Sequence, residues 1–208
     1  MKQESKSQLE RIVFFSDAVI AIAMTLLIIE IKAPHITSHS DEETSRSLNE
    51  LFPKFIAFFV SFFVIAAYWK VHHYLFGFVN RYTDKLIWLN ILFLLSIVLM
   101  PFSTAFYSEN FQLSIPYVVY CVNILLTGLL NCCLVVYISS AKAGLSSVSG
   151  NSLWRKHQML RSLVAPTVFF ISIFLSFYSE ILSRSCFILI FPIIYLINRR
   201  YKKATVTR

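Results

Sequence analysis

Glycine, charge and sequence motifs for soluble chemistry are what this sequence has least of. Four glycines in 208 residues and no period of three exclude a collagen-like chain, and the richness in large apolar residues excludes a disordered one. Charged residues make up 14%, against about 25% in a soluble domain, which could not hide the apolar surface that remains. Acidic residues number 11 against 19 basic ones, a net charge of +8. That balance would suit nucleic acid only if the cations clustered with stacking aromatics, and here they are scattered between apolar runs. Cys121, Cys132, Cys133 and Cys186 show neither CxxC nor CxxH spacing and read as reduced thiols packed among helices. No cleavable signal peptide is expected, because Met1 to Glu10 is polar and the run behind it is long and lacks a small-residue cleavage site.

What is present is apolar length. Hydrophobic residues reach 57%, with 20 phenylalanines, and six stretches approach the roughly 20 apolar residues that cross a bilayer. They lie at about 12–33, 53–79, 85–107, 114–138, 158–178 and 181–198. The expected fold is an all-α integral membrane protein, one six-helix transmembrane domain over residues 1–208 with no internal repeat. Pro34 to Glu50 reads as a polar loop, and Lys142 to His157 as a basic, serine-rich one. Basic residues orient such a chain. Lys2, Lys6, Arg11, Arg81, Lys85, Lys142, Arg155, Lys156, Arg161, Arg199, Arg200, Lys202, Lys203 and Arg208 fall on one side, and only Lys32, Arg46, Lys54 and Arg184 on the other. Both termini are therefore expected in the cytoplasm, with the protein a multi-pass component of the cell (inner) membrane.

The first span carries the chemistry. Arg11 and Asp17 are ionisable groups in an apolar run, and Asp17 lies more than a turn inside it, so it needs a partner. At about 100° per residue, Ala18, Ile22, Thr25, Leu26 and Ile29 form one stripe, with Ser16 and Asp17 well around from it. That stripe is either a pore lining or an ordinary lipid-facing or packing surface; every face of this span is apolar, so patterning does not choose. Arg11 projects along the same stripe. Trp69, His72, His73 and Asn90 fall near the depth of Ser16 and Asp17, where polar side chains can satisfy one another between helices. Trp69 only donates and Asp17 only accepts, so His or Asn can link them; Trp69 also suits an interfacial anchor. Adjacent histidines diverge by about 100° and are poorly set to chelate one metal. Structural hydrogen bonding and proton sensing are the readings that remain for them, and no structural metal is expected.

Arg11-xxx-Phe15-Ser16-Asp17 at the head of the first span, Trp69-xx-His72-His73, Asn90 and Pro101-Phe102 together resemble the endosomal and lysosomal potassium channels with the RxxxFSD signature and their prokaryotic homologues. The motifs cover spans 1 to 3, and the hydropathy layout extends further. The resemblance implies a homotetramer of single six-helix chains whose first helices line a pore without a TVGYG filter; none occurs here. It implies an apolar constriction at Ile22, Leu26 and Ile29, a hydroxyl layer at Thr25, and a supporting network of Arg11, Phe15, Ser16, Asp17, Trp69, His72, His73 and Asn90. The permeant potassium ion would pass near Thr25 and Ile22, with no cofactor, membrane lipid as surroundings and no nucleic-acid partner.

The expected function is thus a potassium-selective cation channel. The alternative is a secondary transporter or proton-coupled cation carrier, which lacks support from paired broken helices or a midplane carboxylate. An enzyme is not expected, since GxSxG and HExxH are absent.

Overall fold

The computed structural model describes residues 2–37 and 40–201, with side chains from Ser7 onward. Lys202, Lys203 and Arg208, used above to orient the chain, lie outside the described residues, as do the side chains of Lys2 and Lys6. The elements are α1 (Lys2–Ile29), α2 (Asp41–Phe76), α3 (Asp84–Val98), α4 (Met100–Glu109), α5 (Ser114–Ile138), α6 (Ser152–Leu175), α7 (Glu180–Ser185), a 3-10 turn at Cys186–Leu189 and α8 (Ile190–Arg200). α3 and α4 run on as one span, as do α7, the turn and α8. Among the described residues, six helical spans are long and apolar enough to cross a membrane.

Four departures from the expectation each have a local reason. Asp41 to Glu50 is helix rather than loop. Ser40 caps α2 by accepting from the Glu43 backbone amide at 3.2 Å, three acidic residues sit in the first turn where the helix dipole favours them, and Arg46 pairs with Glu50 one turn on. The 36-residue helix is therefore about 54 Å long at 1.5 Å per residue, well beyond the ~30 Å hydrocarbon core. The third span breaks at Leu99, because Pro101 at the head of α4 has no amide to bond back into α3. The sixth span is interrupted by the 3-10 turn just ahead of Pro192 for the same reason. The fifth begins at Ser152, where Asn151 caps it through the Trp154 amide at 2.9 Å.

α1 packs on α2, α3 and α4, while α5 packs on α3, α4 and most extensively on α6, which carries α7 and α8. The two connections at one end of the bundle are joined. In the turn after α2, the amides of Asn80 and Arg81 both donate to the Leu145 carbonyl, at 2.8 and 3.1 Å, and Ser147 donates back to Phe78 at 3.0 Å. Two of the four glycines shape the partner loop, Gly144 at φ +58° and Gly150 at φ +83°, where a side chain would be strained. The four cysteines are free thiols.

Candidate functional site

α1 has two faces set by its 3.6-residue period. Ser16, Ile20, Ala23 and Leu27 are buried against the chain's own helices. Ala18, Ile22, Thr25, Leu26 and Ile29 form the opposite stripe and point away from that core, Ile22 being 58% exposed against 1% for Ile20. The Thr25 hydroxyl donates to the Ile22 carbonyl at 2.8 Å. Its proton is committed to the helix and its lone pairs are left on the outward side.

Behind the stripe, three helices are tied by a directed chain of hydrogen bonds. The Ser16 hydroxyl donates to the Ile12 carbonyl at 2.8 Å, and Asn90 Nδ2 donates to Ser16 Oγ at 2.8 Å. With the amide so turned, Asn90 Oδ1 accepts from His72 Nε2, 2.8 Å away, which places the proton of His72 on Nε2. The imidazole is stacked between Phe76, with centroids 4.2 Å apart, and Phe93 at 5.5 Å. All three polar residues are buried. α1, α2 and α3 are thereby fixed in mutual rotation, since turning any one of them strands a donor in an apolar setting.

Asp17 is satisfied separately, by Trp69 Nε1 donating to Oδ1 at 2.9 Å. No His or Asn intervenes between them, and the anticipated single network is two. Three signature residues stay outside both. Among the described residues, Arg11 makes no hydrogen bond or ion pair, Phe15 is exposed, and exposed His73 meets only the Trp69 ring, at 5.6 Å. Ser16, His72 and Asp17 are not set as a hydrolytic triad: the Ser16 proton goes to a backbone carbonyl, His72 faces Asn90 and Asp17 meets Trp69. No group of three or more metal-ligating side chains occurs among the described residues.

Sequence reasoning missed a second polar layer. Thr104 Oγ1 donates to Ser61 Oγ at 2.8 Å, Ser61 lies 3.1 Å from the Tyr120 hydroxyl, and Asn123 Nδ2 donates to Ser103 Oγ at 3.0 Å. Asn131 Nδ2 reaches Ser162 Oγ on α6 at 3.0 Å. The signal was available: Asn123, Thr127 and Asn131 recur at i, i+4 and i+8, one buried polar stripe on α5.

Comparison with known proteins bears on the same elements. Residues 11–101 match the family described as endosomal/lysosomal potassium channel TMEM175. A potassium channel of Chamaesiphon minutus is 40% identical over 107 residues, 50% of this chain and 51% of that protein. A potassium channel of a Chryseobacterium species is 29% identical over 119 residues, 57% and 59% of the respective chains. The crystal structure of a lysosomal potassium-selective channel TMEM175 homologue from Chamaesiphon minutus superposes with a TM-score of 0.77 at 28% identity, covering 92% of this chain and 99% of that one. Over residues 11–101 the chain is homologous to the TMEM175 channels. It spans about half the length of the curated relatives it matches. The matched segment holds the whole of both hydrogen-bonded groups and ends on Pro101, whereas α5 to α8 lie beyond it and are covered by the structural superposition. With six membrane-length helices in that fold, this is a multi-pass membrane protein.

Proposed function

We propose that this chain is a potassium-selective cation channel whose pore is lined by α1 in a homotetramer, the 208 residues acting as one six-helix domain. The observation that carries the reading is the outward stripe of Ile22, Thr25, Leu26 and Ile29, backed by hydrogen bonds that lock its rotation. A single copy of α1 encloses nothing, so the pore needs a ring of chains. Potassium-channel relatives that match the segment containing α1 support the same reading. Both termini lie in the cytoplasm of the cell (inner) membrane, on the strength of the basic side of the chain.

In this arrangement the Ile22, Leu26 and Ile29 rings repel water and close the path by dewetting, and a small dilation passes a cation. Potassium sheds its hydration more readily than sodium, and the outward lone pairs of Thr25 replace part of the lost shell. The Ser16–Asn90–His72 chain sets the diameter without touching the ion.

Ile22→Asn wets the narrowest ring and is expected to raise basal cation current while lowering discrimination against sodium. Ile20→Asn, on the buried face, is expected to damage folding instead. Single-channel recording and liposome flux on reconstituted protein read both. Unchanged open probability and selectivity in Ile22→Asn place the constriction elsewhere, and saturable flux without unitary currents replaces the channel by a carrier.

A further inference from the structure

The loop between α5 and α6 encloses a half-open cavity of about 450 Å³ that the conduction path does not use, a volume in the range of small-molecule sites. Its rim carries Asn151, Arg155 and Lys156, and its floor Met159, Leu160 and Leu163. Cations therefore sit on the polar side and an apolar surface continues along α6, a span of membrane length. Arg155 and Lys156 form no ion pair among the described residues. The sequence places no acidic residue anywhere between Glu109 and Glu180, while Lys142, Arg155, Lys156 and Arg161 all fall in that stretch. Two cations are thus presented with nothing in their own stretch of chain to neutralise them.

The rim is held by protein rather than by any ligand. The Gly150 amide donates to the Ser139 carbonyl at 3.1 Å, Ser146 Oγ donates to the Ile138 carbonyl at 2.7 Å, and the loop is pinned to the turn after α2 through Leu145 and Ser147. A pre-formed site costs little ordering on binding.

We propose that this cavity binds the phosphate of an anionic membrane-lipid headgroup, with Arg155 and Lys156 on the phosphate and an acyl chain laid over Met159, Leu160 and Leu163. Charge complementarity selects an anion, and a guanidinium beside an ammonium suits phosphate oxygens. The apolar floor selects the lipid over free phosphate, which gains nothing from Leu160 or Leu163. The proposal is independent of ion conduction and is read by binding alone.

The test uses the purified full chain in neutral detergent, titrated separately with dioctanoyl phosphatidylglycerol, dioctanoyl phosphatidylcholine and inorganic phosphate, with occupancy read by native mass spectrometry. Phosphatidylglycerol is expected to bind in preference to the other two. The Arg155→Gln/Lys156→Gln variant should weaken it about thirtyfold, the effect of two cations near an anionic lipid surface. Lys142→Gln, on the same loop but outside the cavity, should leave affinity unchanged. Leu160→Trp, which fills the floor and keeps both cations, should also weaken the lipid and supplies the test if the double variant fails to fold. Equal binding of phosphatidylcholine, full retention in the double variant, or equal binding of inorganic phosphate overturns the lipid assignment.

Discussion

Helices α1 to α3 are held to one another by side-chain hydrogen bonds, whereas α5 and α6 add to theirs, Asn131–Ser162 and Tyr117–Ser172, a close approach of small and rigid residues. In the first region, Ser16, Asn90 and His72 each supply one directed bond, and Trp69 answers Asp17. In the second, Gly128 lies against the Pro166 ring, and a methyl group in place of its hydrogen would fall inside contact distance of that ring and 2.9 Å from the Tyr68 hydroxyl. Lipid is as apolar as leucine, so burial alone does not drive helices together in a bilayer, and these are the two means that remain. They differ in what they fix. Close packing fixes distance; a directed hydrogen-bond chain fixes rotation. Rotation is what α1 needs in the proposed pore, because turning it by one residue would replace Ile22 on its outward face.

The comparison breaks most visibly at Gly128. Gly128→Val forces a branched side chain into the Pro166 ring, and overpacking of this kind costs about 3 kcal/mol. Reconstituted protein should show a large fall in thermal midpoint and loss of folded material on size exclusion. A midpoint near that of the parent would mean α5 and α6 are not held by close approach.

Asn90 is the matching test of the first region. Asn90→Leu is close in volume but leaves the His72 donor and Ser16 without their partner, a cost of about 2 kcal/mol. The thermal loss should be smaller than at Gly128, while the current should change more, because α1 loses its rotational reference. Ser16→Ala combined with Asn90→Leu should cost less than the sum, as expected of residues in one chain of bonds. Strict additivity would separate them. Trp69→Phe is milder still. Both Trp69 and Asp17 are partly exposed, so stability should fall by about 1 kcal/mol or less, with any change in open probability reporting on Asp17.

Much of this was readable in the residues. Ser16, Asp17, Trp69, His72 and Asn90 interrupt apolar runs at one depth, and polar groups at one depth in a membrane find each other. Their pairing was not readable, because it depends on helix rotation: Trp69 and His72 lie on one helix yet serve different partners. For the same reason Phe15 and His73 face outward despite their place in the signature. The helical start of α2 is too polar to show as apolar length, although Ser40 and Glu43 at capping-box spacing mark it. The breaks near Leu99 and Cys186–Leu189 were announced by Pro101 and Pro192. The α5 stripe of Asn123, Thr127 and Asn131 was fully visible as a pattern, but each residue taken singly is an ordinary polar substitution in a span.

The smallest expected effect is at Ser162, and it sharpens the contrast from the other side. Asn131 Nδ2 donates to Ser162 Oγ across the α5–α6 contact, a bond that resembles those of the first region in chemistry and burial. If the two regions differ as argued, this bond adds little, because Gly128 and Pro166 already fix the distance and no pore surface depends on the rotation of α6. Interhelical hydrogen bonds in membranes average about 0.6 kcal/mol, and Ser162→Ala should cost no more than that, with conduction per folded protein unchanged. The measurement is the thermal midpoint and unitary current of Ser162→Ala beside those of Ser16→Ala, its counterpart on α1. A Ser162 effect on current as large as that of Ser16 would show that hydrogen bonding sets helix rotation throughout the bundle, and the division between the two regions would fall.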